Sequence, residues 1–100
     1  MDDKLKLTIL KKDLQMVTNA NDEYLKILLD LAKSRMAREG IKIPENGEDI
    51  ETGMAAVHYA AYLYRKRAGT ETGMPRYLRY ELNNLLFSQK AGEAVVKDDS

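Results

Sequence analysis

The chain has a single histidine, His58, inside the stretch DIETGMAAVHYAAYLYRKR (Asp49 to Arg67), which also holds Tyr59, Tyr62 and Tyr64 and ends in Arg65, Lys66 and Arg67. A histidine among tyrosines and cations suggests three chemistries: general base, metal ligand, or part of a nucleic-acid surface. A general base needs a second group to orient it, and hydrolysis by a triad also needs a nucleophile. One helical turn away on either side lie Tyr62 and Met54, neither a usual orienter. The serines at 34, 88 and 100 sit in no strand-turn-helix elbow. His58 is therefore expected to be a packed or partly exposed structural residue. With no cysteine in the chain, thiolate catalysis and Cys-based zinc sites are excluded. The carboxylates Glu45, Glu48, Asp49 and Glu51 lack the regular spacing of a calcium loop. The glycines at 40, 47, 53, 69, 73 and 92 form no phosphate cradle. No catalytic residue, cofactor or metal is expected, and the chain reads as a non-enzyme.

The nucleic-acid reading has more material. Between residues 54 and 90, Arg65, Lys66, Arg67, Arg76, Arg79 and Lys90 face only Glu71 and Glu81, and tyrosines at 59, 62, 64, 77 and 80 are interleaved with them. Such residues can stack bases and hold phosphates. They equally bury apolar stems on helix surfaces with their polar tips in water, and a helix C-terminus attracts cations in any case. A helix-turn-helix requires a three- or four-residue junction. Only the one after Met16 is that short, and the helix it leads into opens with Asp22 and Glu23, which would face phosphate. Sequence-specific DNA binding is disfavoured, whereas tyrosines and arginines near helix ends suit a protein interface.

The elements that must position these residues are helices. Thr8 is a plausible cap for a first helix carrying Ile9, Leu10 and Leu14 and stopping near Met16. The stretch Asn19 to Asn21 can cap a second, running to about Glu39. Its Leu25, Leu28, Leu29, Ala32 and Met36 make a one-sided stripe, widened by Tyr24, Ile27 and Leu31. Arg35, Arg38 and Gly40 mark its end. Pro44 and Asn46-Gly47 punctuate a loop, and Asp49 can cap a third helix in which Ile50, Met54, Val57, His58, Ala61 and Tyr64 approximate helical spacing. Ala55, Ala56, Ala60 and Ala61 allow close helix approach. Gly53 marks either a close crossing or a later start. Pro75 suits the first turn of a fourth helix, with Leu78, Leu82, Leu85 and Leu86 as its stripe and an end near Lys90. The polar remainder, 91 to 100, is expected to be a flexible tail whose one apolar spot is Val95 and Val96.

One hundred residues with 44% hydrophobic content fit one domain. The expectation is an all-α fold, a small bundle of about four helices over residues 1–90, followed by the tail 91–100. Sixteen basic and sixteen acidic side chains cancel, so any electrostatic partner must be met by a local patch. The opening MDDKLKLTILKKDLQ lacks the apolar core of a signal peptide. No apolar run is long enough to span a bilayer.

With these residues in order, the chain resembles the head-to-tail connector, or adaptor, proteins of long-tailed bacteriophages and prophages. The similarity covers roughly residues 5 to 90. It rests on Asp22, Glu23, Leu25, Leu28, Leu29 and Ala32 in the long helix and Ala56, Ala60, Tyr64 and Arg67 in the next. Gly73 and Pro75 then form a break before Leu78, Leu82 and Leu85. The loop from Gly40 to Asp49 departs from the family by lacking its hydrophobic, often aromatic, segment. The resemblance implies a structural virion protein that forms a ring of about twelve copies beneath the portal, a closed assembly of repeated contacts. Its implied partners are further copies of itself, the portal protein and a stopper or tail-completion protein. DNA passes through the channel without being read, and no membrane is involved. The implied location is the head-tail interface, preceded by the bacterial cytoplasm during assembly. On this reading Tyr62, Arg65, Arg67, Arg76, Tyr77 and Arg79 are candidate interface residues, and Val95 and Val96 a candidate portal-docking anchor. The alternative is a small helical DNA-associated or regulatory protein.

Overall fold

The computed structural model describes residues 1–44 and 48–99, with side chains described as far as residue 91. Four helices follow in chain order: α1 (Asp3–Asp13), α2 (Asp22–Arg38), α3 (Ile50–Ala68) and α4 (Arg76–Asp99). No strand occurs among the described residues, and the fold is a small all-α bundle.

The first helix starts earlier than its apolar pattern suggests. Asp2, not Thr8, is its cap: the Asp2 carboxylate accepts from the Leu5 N–H at 2.7 Å. Thr8 lies mid-helix, where its hydroxyl donates back to the Lys4 carbonyl at 3.0 Å, a local bond open to any helical threonine. The helix also ends early, at Asp13, because Gln15 turns into the left-handed region with φ 58°. Its buried face is Lys6, Leu7 and Leu10, with Ile9 and Leu14 at the margin.

Helix α2 buries the expected stripe of Leu25, Leu28, Leu29, Ala32 and Met36. Ile27 and Leu31 do not widen that stripe; they are 62% and 38% exposed. Asn21 occupies the cap position but makes no side-chain cap bond, leaving Asp22 and Glu23 to meet the positive helix end. Termination is as expected. Gly40 adopts φ 99°, and the Ile41 N–H closes on the Met36 carbonyl at 3.1 Å. The turn expected at Asn46-Gly47 lies outside the described residues.

Helix α3 is the centre of the bundle and packs against each of the other three. Asp49 caps it, accepting from the Thr52 N–H at 3.1 Å. Ala55, Ala56, Ala60 and Ala61 are all buried, so neighbouring backbones approach over side chains that project only one carbon. Val57, Tyr59, Tyr62 and Leu63 are buried with them, a broader face than the expected stripe, whose Ile50 is 72% exposed. Gly53 belongs to the helix, and what lies close against it is the side chain of Met1, ahead of α1, rather than a crossing helix. A β-carbon there would sit 2.9 Å from the Met1 sulfur and 3.0 Å from the Met1 Cβ.

The last helix begins just after Pro75, whose carbonyl accepts from the N–H groups of Leu78 and Arg79, both at 3.1 Å. Leu78, Leu82 and Leu85 are buried and Leu86 is partly so. The helical backbone continues through Asp99 rather than ending near Lys90. Ala91, Glu93, Ala94 and Lys97 are good helix formers, and only Gly92 interrupts them. The side chains of Val95 and Val96 lie outside the described residues, as does Ser100. Beyond α3, this helix meets the segment that follows α2. There Gln89 accepts from the Lys42 N–H at 2.8 Å and donates to the Lys42 carbonyl at 3.0 Å.

Candidate protein interface

His58 has an orienting partner after all. Its Nδ1 lies 2.9 Å from both carboxylate oxygens of Glu81, a residue on α4 that comes 23 positions later in the chain. The Tyr77 ring stands edge-on to the imidazole with centroids 6.2 Å apart. Tyr77 is about half exposed, and the partial burial of its phenol raises it above its ordinary pKa, with Arg65 opposing and the charges of Asp13, Glu71 and Glu81 adding. The phenol therefore stays protonated at neutral pH. The three groups join α3 to α4 at one side of a groove of about 750 Å³, lined by Ile50, Glu51 and Met54 from α3 and by Tyr80, Asn84 and Ser88, among others, from α4. The contact between His58 and Glu81 is a half-buried clamp between helices.

The expected interface residues divide by location. Tyr62 is a core residue, 7% exposed, packed against Tyr59 at 6.0 Å between centroids. It offers no surface to a partner. Arg65 is half-buried and donates to the carbonyl and the carboxylate of Asp13, both at 3.3 Å, tying the end of α3 to the end of α1. Arg67 lies over the Tyr24 ring at 5.7 Å, a stacked cation of the kind arginine favours. Arg79 is forked onto Glu39 and links α4 to the end of α2. Arg76 and Tyr77 are exposed at the start of α4. The basic cluster is thus not one patch. Arg65 and Arg79 are committed to ion pairs that join helix ends, Arg67 to the Tyr24 ring and Lys66 to the Tyr62 ring of its own helix, which divides the cluster as a phosphate-binding surface.

Two features escaped the sequence reading. Lys6 and Glu48 form an ion pair with side chains only 1% and 4% exposed, and Asp3 sits 3.0 Å from the same ammonium. Burial alone would lower the Lys6 pKa, but hydrogen bonds to Glu48 and Asp3 and their charges outweigh it and leave it raised. The Lys6 hydrogen bond and charge, followed by Lys33, hold Asp3 below the usual carboxylate range. The second is apolar exposure: Tyr80 at 61%, Phe87 at 74% and Ile50 at 72% gather along α4 and the start of α3. The signal was present in the sequence, since Tyr77, Tyr80 and Phe87 fall off the Leu78, Leu82 and Leu85 stripe by the helical period.

Among the described residues no cluster of three or more His, Cys, Asp or Glu side chains is arranged to hold a metal ion. Among the described residues, no helix is long and apolar enough to cross a membrane. No protein-family model, curated protein or solved structure matches the chain.

Proposed function

We propose that this protein is a head-tail connector subunit of a bacteriophage or prophage. It assembles as a ring of about twelve copies, a closed heterologous arrangement, beneath the portal, and joins the DNA-filled head to the tail. Its partners are further copies of itself, the portal protein and a stopper or tail-completion protein. DNA crosses the ring without base-specific contacts. The protein works in the virion at the head-tail interface after passing through the bacterial cytoplasm during assembly.

The observation that carries this reading is the last helix. It rests on α3 along its leucine face and leaves Tyr77, Tyr80 and Phe87 outward. Large apolar side chains grouped on one exposed face are what assembly surfaces offer. The order of elements, an acidic-opening leucine helix followed by an alanine- and tyrosine-bearing helix and a proline-initiated leucine helix, supports the same reading by resemblance. Two of the basic residues, Arg65 and Arg79, fit it too, because cations committed to ion pairs do not grip DNA that must slide.

The test is reconstitution with a purified portal ring, followed by co-sedimentation and imaging. Ring-shaped densities stacked on the portal are expected. A chain that never binds portal, yet is retained on DNA in a manner that weakens steeply with salt, would reject this reading in favour of the DNA-associated alternative.

A further inference from the structure

Two exposed surfaces of this molecule carry apolar residues, and their charges are opposite. The groove between α3 and α4 is lined by Ile50, Met54, Tyr77 and Tyr80 together with two carboxylates, Glu51 and Glu81, and by no cation among the described residues. The outer face of α2, turned away from its buried stripe, presents Ile27 and Leu31 one turn apart, then Arg35 and Arg38 toward its C-terminal end. Both arginines are exposed, and neither has an ion-pair partner among the described residues. The acids of that face, Glu23 and Asp30, lie nearer the N-terminus, with Asp30 against Lys33 at 3.8 Å. The two surfaces share no residue.

We infer that the occupant of the α3–α4 groove is the outer face of α2 from a second copy of this chain, seated by Leu31 and oriented by Arg35 and Arg38 against Glu51 and Glu81. Groove against groove would bring four carboxylates together. Two α2 faces laid antiparallel would set Arg35 and Arg38 against Glu23 and Asp30, but Asp30 is already against Lys33 and that pairing leaves the apolar, acidic groove uncovered. Groove against α2 pairs opposite charges and covers both apolar surfaces. That contact is heterologous: every open assembly keeps one free groove and one free α2 face, so association continues until a ring closes, or as a filament where the rotation does not close. The inference deepens the ring reading above by naming its subunit contact.

The chain has no cysteine, so introduced thiols are the only ones present. Ser34→Cys, on the outer face of α2, and Asn84→Cys, in the groove lining, are placed in one chain so that Leu31 and Tyr80 stay in place, and a short bismaleimide is added at a protein concentration near 1 mM, where contacts as weak as about 4 kcal/mol are close to half occupied. A ladder of dimer, trimer and higher species is expected from the double variant, with each single variant staying monomeric. Single variants that cross-link to dimers as readily as the double, or a double variant that gives no ladder, overturn the assignment. As a second readout, Arg35→Glu with Arg38→Glu should weaken self-association by about tenfold or more, as removal of close interfacial charge pairs does. Adding Glu51→Arg should restore much of it, and failure to restore also overturns the assignment. A ladder without portal binding keeps this contact and removes the connector function. Portal-bound rings without a ladder keep the function and remove the contact.

Discussion

Lys6 is the residue whose chemistry is furthest from its expected place, since a lysine in a charged N-terminal stretch reads as solvated. Instead it is buried beside Glu48, 42 positions away. Nothing local could have paired them, because the contact exists only once α1 lies against the segment leading into α3. Removing one partner of such a pair strands the other charge in a poorly solvated site. Lys6→Met is expected to cost about 3–5 kcal/mol, and the double replacement Lys6→Met with Glu48→Leu to recover most of that loss. Urea denaturation of the two variants checks this, and a double variant no more stable than the single one contradicts it. The pH dependence follows from the direction of each shift. The raised pKa of Lys6 means that its stabilisation is complete below the ordinary lysine value and is lost as pH rises through the folded value. The depressed pKa of Asp3 contributes only above the ordinary carboxylate value, and its contribution is lost as pH falls through the lower folded one. Asp3 is 83% exposed at its side chain, so its share is small. Stability should therefore fall in strong alkali in the native chain, and the Lys6→Met variant should lose the Lys6 share of that alkaline limb while the raised Tyr77 phenol keeps its own. His58 teaches the same lesson about range: its partner Glu81 is on another helix, and no spacing rule within α3 reveals it.

At the scale of elements, much was legible, because caps, breakers and stripes act over a few residues. Asp49, Gly40 and Pro75 delimit their helices as their chemistry dictates. The first helix was misplaced because Thr8 and Asp2 are both acceptable caps, and the choice between them depends on α1 packing Lys6 and Leu7 inward. Two substitutions test the termini. Asp49→Ala should cost about 1 kcal/mol by removing the bond to the Thr52 N–H, whereas Asp49→Asn should cost far less because its amide oxygen still accepts. The Thr52 hydrogen bonds hold the Asp49 carboxyl below its ordinary range, so the cap's contribution is present above the ordinary carboxylate pKa and disappears as pH falls through the folded value. At Gly40 a β-carbon would meet only Leu86, at an ordinary 3.5 Å. The penalty for Gly40→Ala is therefore one of backbone, about 1–2 kcal/mol for a left-handed residue. Thermal unfolding of Gly40→Ala measures it directly. A neutral result would mean that the turn after α2 can re-form without the left-handed residue.

For the molecule as a whole, the sequence revealed which faces are apolar but not which are covered. A helix of α4's length carries two apolar sets, and only the packed structure shows that the leucines face α3 while Tyr80 and Phe87 do not. The same division predicts how the last ten residues behave. Among the described residues the buried leucines of α4 end at Leu85, with Leu86 partly buried and Gln89 bonded to Lys42. A chain truncated after Lys90 keeps all of these contacts. Its unfolding free energy should lie within about 0.5 kcal/mol of the full chain, as for surface changes remote from packing. Under the connector reading its portal affinity should fall sharply, because Val95 and Val96 are the only apolar pair it loses. Denaturation and co-sedimentation on the same preparation separate the two effects. A truncated chain that unfolds much more easily would show that residues 91–100 belong to the bundle. One equally stable and equally well bound to portal would remove the docking role of Val95 and Val96 and leave the groove and the outer face of α2 to carry assembly.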